Sequence, residues 1–252
     1  MGAFLSLYLR EVLRNPWAWF LGLGLALLAL AFRGRPEGVA VLSVYGLLLL
    51  FVPPAVLALS APLLAGREEW AFWAAMPRPA GRLYLAAAAG VGLGFLFPFL
   101  LGGGIAASLL GLSLGNAAWL IVALTLVVAF WVGVAAFAGA LTLEPGRALG
   151  VGLLVWGLLV LAYDPAVVAL SVIFRDYPLE GFMLAVLFAN PLEILRVSLL
   201  KALHTPVLVG PVGYLLDKLL GQVGYLPLVL SFAMAFLLFY GLAALVFARR
   251  DR

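Results

Sequence analysis

The sequence predicts an all-α polytopic membrane protein with six transmembrane helices, and three observations carry that prediction. Hydrophobic residues fill 66% of the 252 positions and charged residues only 10%, against roughly 25% charged in a soluble domain. So few polar side chains cannot cover a water-exposed surface, and mean hydropathy is +1.21. Several apolar runs also reach the roughly 20 residues that a helix needs to cross a bilayer. The short alternating segments of an outer-membrane barrel do not occur, and a barrel is not predicted.

The chain reads as one membrane domain over 1–252. In residues 1–15, Phe4, Leu5, Tyr8, Leu9, Val12 and Leu13 share one helical face, and Ser6, Arg10, Glu11 and Arg14 fall largely on the other. That is the pattern of a helix lying in the interface plane. Its charges and the lack of a small-residue cleavage site set it apart from a cleavable signal. Asn15-Pro16 breaks it and opens the next helix. Spans are predicted at 16–32, 39–64, 83–110, 117–142, 148–172 and 226–248. Between the last two lies a long external segment, 173–225, in which Asn190-Pro191, Thr205-Pro206 and Gly210-Pro211 separate short stretches. It reads as two or three short helices packed at the outer interface. A seventh span within 181–203 is the alternative, and it would put Arg249 and Arg250 outside.

Positive charge gives the orientation. Arg10, Arg14, Arg67, Arg78, Arg82, Arg147, Arg249, Arg250 and Arg252 fall on one side, nine in all, against Arg33 and Arg35 on the other short flanks. Both termini are therefore expected in the cytoplasm. The net charge of +4 sits at the ends of apolar segments, where it meets anionic lipid rather than nucleic acid.

Several chemistries find no support. The chain has no cysteine, hence no disulfide, thiolate metal site or cysteine nucleophile. His204 is the lone histidine, without the cluster a metal site needs, and reads as structural. No Ser-His-Asp order or His-Glu-x-x-His appears, so no enzyme is predicted. No Gly-x-x-x-x-Gly-Lys-Ser/Thr is present, so the chain is not itself an ATPase. Gly90, Gly92, Gly94 and Gly102-Gly103-Gly104 read as close helix packing. Pro53-Pro54 and Pro98 are expected to kink the second and third spans.

One stretch interrupts the apolar sequence: residues 66–82, a polar island between the second and third spans. Arg67-Glu68-Glu69 opens a helix with acids in its first turn, favourable against the helix dipole. Trp70, Phe72, Trp73 and Met76 supply large apolar contacts, and Pro77 ends it. It reads either as an interfacial turn with an aromatic belt or as a helix that docks a cytoplasmic partner.

The stretch from Arg67 to Leu83 resembles the first cytoplasmic loop of ABC-2 type permeases. There an acidic start and a leucine- or aromatic-bearing helix lead into a Pro-x-x-Arg turn and the third span. Pro79-Ala80-Gly81-Arg82 matches that turn, whereas Trp70-Ala71-Phe72 stands where a Gly-Thr pair is common. The interfacial start, six spans, cytoplasmic termini and long external segment fit the same family. The resemblance implies a homodimeric permease in the inner (plasma) membrane, driven by two copies of a separate cytoplasmic ABC ATPase. ATP and Mg would sit on that ATPase, and this chain would bind no cofactor. By the same resemblance Glu68, Glu69, Trp70, Trp73 and Arg78 touch the ATPase through the coupling helix, and Glu144-Pro145-Gly146-Arg147 makes a smaller contact. Spans one, two and five would move at the dimer interface, and there is room for a periplasmic partner protein.

Trp156 to Tyr163-Asp164 and Asn190-Pro191-Leu192-Glu193-Ile194-Leu195-Arg196 are similar to one branch of that family. It is the permease of the transporter that matures nitrous oxide reductase, associated with copper-site or sulfur supply. Asp164 is the only acid well inside an apolar segment, where a carboxylate costs about 2.5–3.5 kcal/mol on insertion scales. It is expected to pair with Arg196 near Tyr163, as a pathway or structural pair. The alternative is that Asp164-Pro165 sits at the outer interface. Outside the ABC class, the competing function is an autonomous secondary transporter driven by an ion gradient, which needs broken helices around a midplane ionisable site.

Overall fold

The computed structural model describes residues 2–66, 70, 79–174, 188–203 and 224–250. Every regular element among them is helical. The order is α1 (Gly2–Arg14), α2 (Pro16–Ala31), α3 (Glu37–Leu64), α4 (Ala80–Leu110) and α5 (Leu114–Thr142). Then come α6 (Pro145–Ile173), α7 (Pro191–Ala202) and α8 (Leu226–Arg249). Five of these, α3, α4, α5, α6 and α8, are long and apolar enough to cross a membrane. A sixth span arises if α1 and α2, bent by 64°, count as one.

The break falls at Asn15-Pro16, where the sequence predicts it. Alone, α2 has 16 residues, roughly 24 Å of helix, short of a bilayer core of about 30 Å. The break is fully capped. The Asn15 side chain accepts from the Trp17 amide at 3.0 Å, and the Trp19 indole donates to the Leu13 carbonyl at 2.8 Å. Such partners are what a helix interruption inside lipid requires.

The apolar face expected for α1 is turned against the bundle. Phe4, Tyr8 and Val12 are buried, and α1 packs along α4. A Cβ at Gly90 would meet the Leu5 carbonyl, and one at Gly94 the Val12 side chain. Farther along α4, Gly102 abuts the Gly22 carbonyl of α2. Gly92 and Gly104 have no such neighbour, so only part of the glycine pattern serves packing.

α4 and α5 form the centre. α1, α2 and α8 pack on α4, while α3, α6 and α8 pack on α5. The Glu37 carboxylate accepts from the Asn116 side chain, tying the start of α3 to the start of α5. α6 stands at the edge, with only Ala148 and Gly152 buried among its residues. Two π-helical turns interrupt the spans, Gly157–Ala162 in α6 and Leu237–Gly241 in α8.

Pro53 and Pro54, expected to kink the second span, lie inside α3 together with Pro62, and Pro98, expected to kink the third, lies inside α4; both helices run on through them. A proline leaves the carbonyl four residues earlier without its donor. For Pro53 that carbonyl is Leu49, and the Trp156 indole of α6 donates to it at 3.0 Å.

Candidate functional site

Two places gather chemistry. The first is built by α7. Asn190 precedes Pro191 and is 2% exposed. Its side-chain oxygen caps α7 by accepting from the Leu192 amide at 3.1 Å. Its side-chain nitrogen donates to the Leu159 carbonyl at 2.8 Å. Leu159 lies midway along the 29-residue α6, inside the π turn. The Tyr45 hydroxyl of α3 donates to the Leu192 carbonyl at 2.8 Å. The start of α7 is thus fixed at the level of the middle of α6. The helix after Asn190-Pro191, expected as one of the short helices of the external segment, buries its apolar face, Leu192, Ile194, Leu195 and Leu199, within the bundle. The remainder of the external segment, including His204, lies outside the described residues.

Fixing Asn190 sets the charges. Glu193 and Arg196 stand one turn apart on α7 and pair at 2.5 Å. The Asp164 carboxylate of α6 lies 3.6 Å from the same guanidinium. The structure therefore places Asp164 and Arg196 together, with side chains about half exposed, and adds Glu193, which is 14% exposed. Burial pushes the Glu193 carboxyl up, Arg196 beside it pulls it down, and Asp164 pushes it up again. The three groups close one end of a cavity of about 360 Å³ between α3, α6 and α7. Leu42, Leu49, Leu159 and Val160 supply its apolar walls.

The second place is the end of the bundle where α3 finishes and α4 begins. Glu68, Glu69, Trp73 and Arg78 lie outside the described residues. Trp70 is described and corrects the sequence reading, for it turns inward and is 2% exposed. A ring so placed offers no surface to a partner. Its centroid lies 4.8 Å from Tyr84, 5.0 Å from Phe247 and 6.0 Å from both Phe4 and Tyr8. The Tyr84 hydroxyl lies 2.9 Å from the Leu64 carbonyl oxygen and 2.7 Å from that of Ala136, and donates to one at a time. Trp70 is thereby packed against α1, α4 and α8, beside the ends of α3 and α5. The other turn on this side, after α5, holds an exposed Glu144–Arg147 pair at 2.8 Å.

Sequence reasoning missed Glu193 as a site residue, although a Glu-x-x-Arg spacing just after an Asn-Pro helix start signals it. It missed the inward turn of Trp70 because no local pattern shows which aromatic of a cluster faces the core.

These helices and their exposed apolar flanks define a polytopic α-helical membrane protein. No family model matches the sequence, and no curated protein matches it significantly. Among the described residues no group of three or more His, Asp or Glu side chains is placed to hold a metal ion.

Proposed function

We propose that this chain is the transmembrane subunit of an ATP-driven transporter of the ABC-2 type, working as a homodimer with a separate cytoplasmic ATPase. The observation that carries the reading is the polar island between α3 and α4. It is the one long charged interruption on the arginine-rich side, and Trp70 ties it into the bundle. Force applied to such an island reaches α1, α4 and α8 through packed rings rather than through a loose loop. Glu68, Glu69, Trp73 and Arg78 are the residues proposed to face the ATPase, with Glu144 and Arg147 as a lesser contact. The finer reading is the branch that matures nitrous oxide reductase; the two motifs that carry that likeness line the α3–α6–α7 cavity together.

A second reading has its own support. The π turn in α6, the short α7 starting at mid-helix depth and the Asp164–Arg196–Glu193 group have the form of a broken-helix ion site, as secondary transporters use. Affinity capture of the tagged chain from its native membranes in mild detergent separates the two. A roughly stoichiometric P-loop ATPase that is lost in an E68A/E69A/W73A variant supports the ABC reading. A chain that comes alone and transports in vesicles under an ion gradient without ATP overturns it.

A further inference from the structure

The cavity between α3, α6 and α7 has a charge imbalance that its own side chains do not resolve. Two carboxylates, Asp164 and Glu193, face a single guanidinium, Arg196. The polar neighbours cannot help. Asn190 uses its oxygen on the Leu192 amide and its nitrogen on the Leu159 carbonyl, and Tyr45 spends its proton on the Leu192 carbonyl. Among the described side chains that line the cavity, Arg196 is the one cation and faces two carboxylates, so the lining carries one net negative charge. Glu193 is the most buried of the three, and uncompensated negative charge at a buried carboxylate favours a proton or a cation there. The remaining wall is hydrocarbon: Leu42, Leu49, Leu159 and Val160. Gly46 also lines the cavity, and a Cβ built there meets nothing within 4 Å, so the wall is open at that point.

From this shape and charge, we infer that the cavity binds a small amphiphilic amine in its protonated form, with the ammonium on the carboxylate oxygens of Glu193 and Asp164 other than the two nearest Arg196 and the apolar body along α3 and α6. An anion would meet the net negative charge, and a bare metal ion would find two carboxylates without a third His, Asp or Glu placed beside them among the described residues. A strongly polar molecule would leave its groups unpaired against leucine and valine. The volume, about 360 Å³, falls at the lower end of the range of ligand cavities, roughly 300–1,000 Å³. The site belongs to this chain and does not require the ATPase.

A proton competes for the same place. The groups facing Glu193 are Arg196 on α7, Asp164 and Tyr163 on α6, and Tyr45 on α3. Burial holds its carboxyl above the ordinary value, so the neutral form accumulates as pH falls through that raised value. Amine binding is then full above it and lost below it.

The test is calorimetric titration of the full chain in phosphatidylcholine nanodiscs with 4-phenylbutylamine, and with 4-phenylbutanol as the uncharged analogue of matching shape. Saturable binding of one amine per chain is expected, with the alcohol weaker by about tenfold or more, the scale of a charge-assisted hydrogen bond. E193Q should weaken the amine by a similar factor and leave the alcohol unchanged. G46L, which fills the cavity from an open position without touching a charge, should abolish both and keep the melting temperature, so the proposal stays decidable if E193Q does not fold. Equal affinity for amine and alcohol, or amine binding that survives both substitutions, overturns it; so does non-saturating partition alone.

Discussion

The Trp156 indole nitrogen sits 3.0 Å from the Leu49 carbonyl oxygen, the acceptor that Pro53 deprives of its backbone donor. A side chain on α6 thus repairs a defect that a proline makes in α3, and the repair joins the two helices. W156F keeps most of the ring and removes the donor. It should cost about 1–3 kcal/mol, the penalty for a polar group left unpaired away from water, read as a lower melting temperature in detergent. P53A returns an amide to Leu49. In the P53A background W156F should therefore cost clearly less, and a double-mutant cycle with additive effects would refute the coupling.

The contact between Gly22 of α2 and Gly102 of α4 permits no side chain. A Cβ on Gly102 would overlap the Gly22 carbonyl, which is backbone and cannot swing away. G102A should force the helices apart and destabilise by about 1–3 kcal/mol, whereas G104A, with nothing within 4 Å, should be near neutral. Thermal melting of the two variants side by side checks the pair, and equal melting temperatures would rule the contact out.

Between α3 and α4, Trp70 gives a graded series. Among the described residues its indole nitrogen has no hydrogen-bond partner, so W70F sacrifices area but no bond and should be mild. W70A empties a site walled by Phe4, Tyr8, Tyr84 and Phe247 and should cost about 3–5 kcal/mol. For the permease reading the informative variant is W70F. It should leave ATPase capture unchanged, because the ring does not face the partner, while E68A/E69A should abolish it. Loss of capture in a well-folded W70F would mean that Trp70 itself makes the contact.

Much of the architecture was legible because hydrocarbon imposes a simple rule. Backbone groups must be satisfied within the segment, so a long apolar run such as Leu114–Thr142 has few alternatives to a helix. Asn15-Pro16 marked the first break for the same reason, since an Asn cap and a proline at the first helical position belong together. What could not be read was depth and facing. The start of α7 is drawn to the middle of α6 by Asn190 bonding Leu159, across 31 residues, and Tyr45 reaches Leu192 across 147. Nothing local in Asn190-Pro191 says which carbonyl its amide will find. The pairing of Asp164 with Arg196 was foreseeable because a charge in an apolar run needs a partner and few candidates existed. Glu193 was overlooked because an acid in a mixed segment looks solvated until the helix is placed.

Arg196 holds two carboxylates, and its removal gives the sharpest pH-dependent prediction. In R196M, Glu193 and Asp164 lose their shared cation. The Glu193 carboxyl, already raised by burial, moves further from the unfolded value of about 4.3. Between that value and the folded one, the folded chain binds more protons than the unfolded chain, so stability must fall as pH rises. R196M should therefore be near wild type in mild acid and less stable at neutral pH. Because Arg196 is 44% exposed and Asp164 58%, solvent screens part of the loss. The expected cost at neutral pH is about 1–2 kcal/mol rather than the 3–5 of a fully buried broken pair. Adding E193Q removes the titrating group, so R196M/E193Q should recover most of the loss and flatten the pH profile. Melting curves across pH 5 to 8 (roughly the range in which such groups shift) decide it. An R196M loss that is independent of pH would show that the arginine acts through packing of its stem, not through its charge.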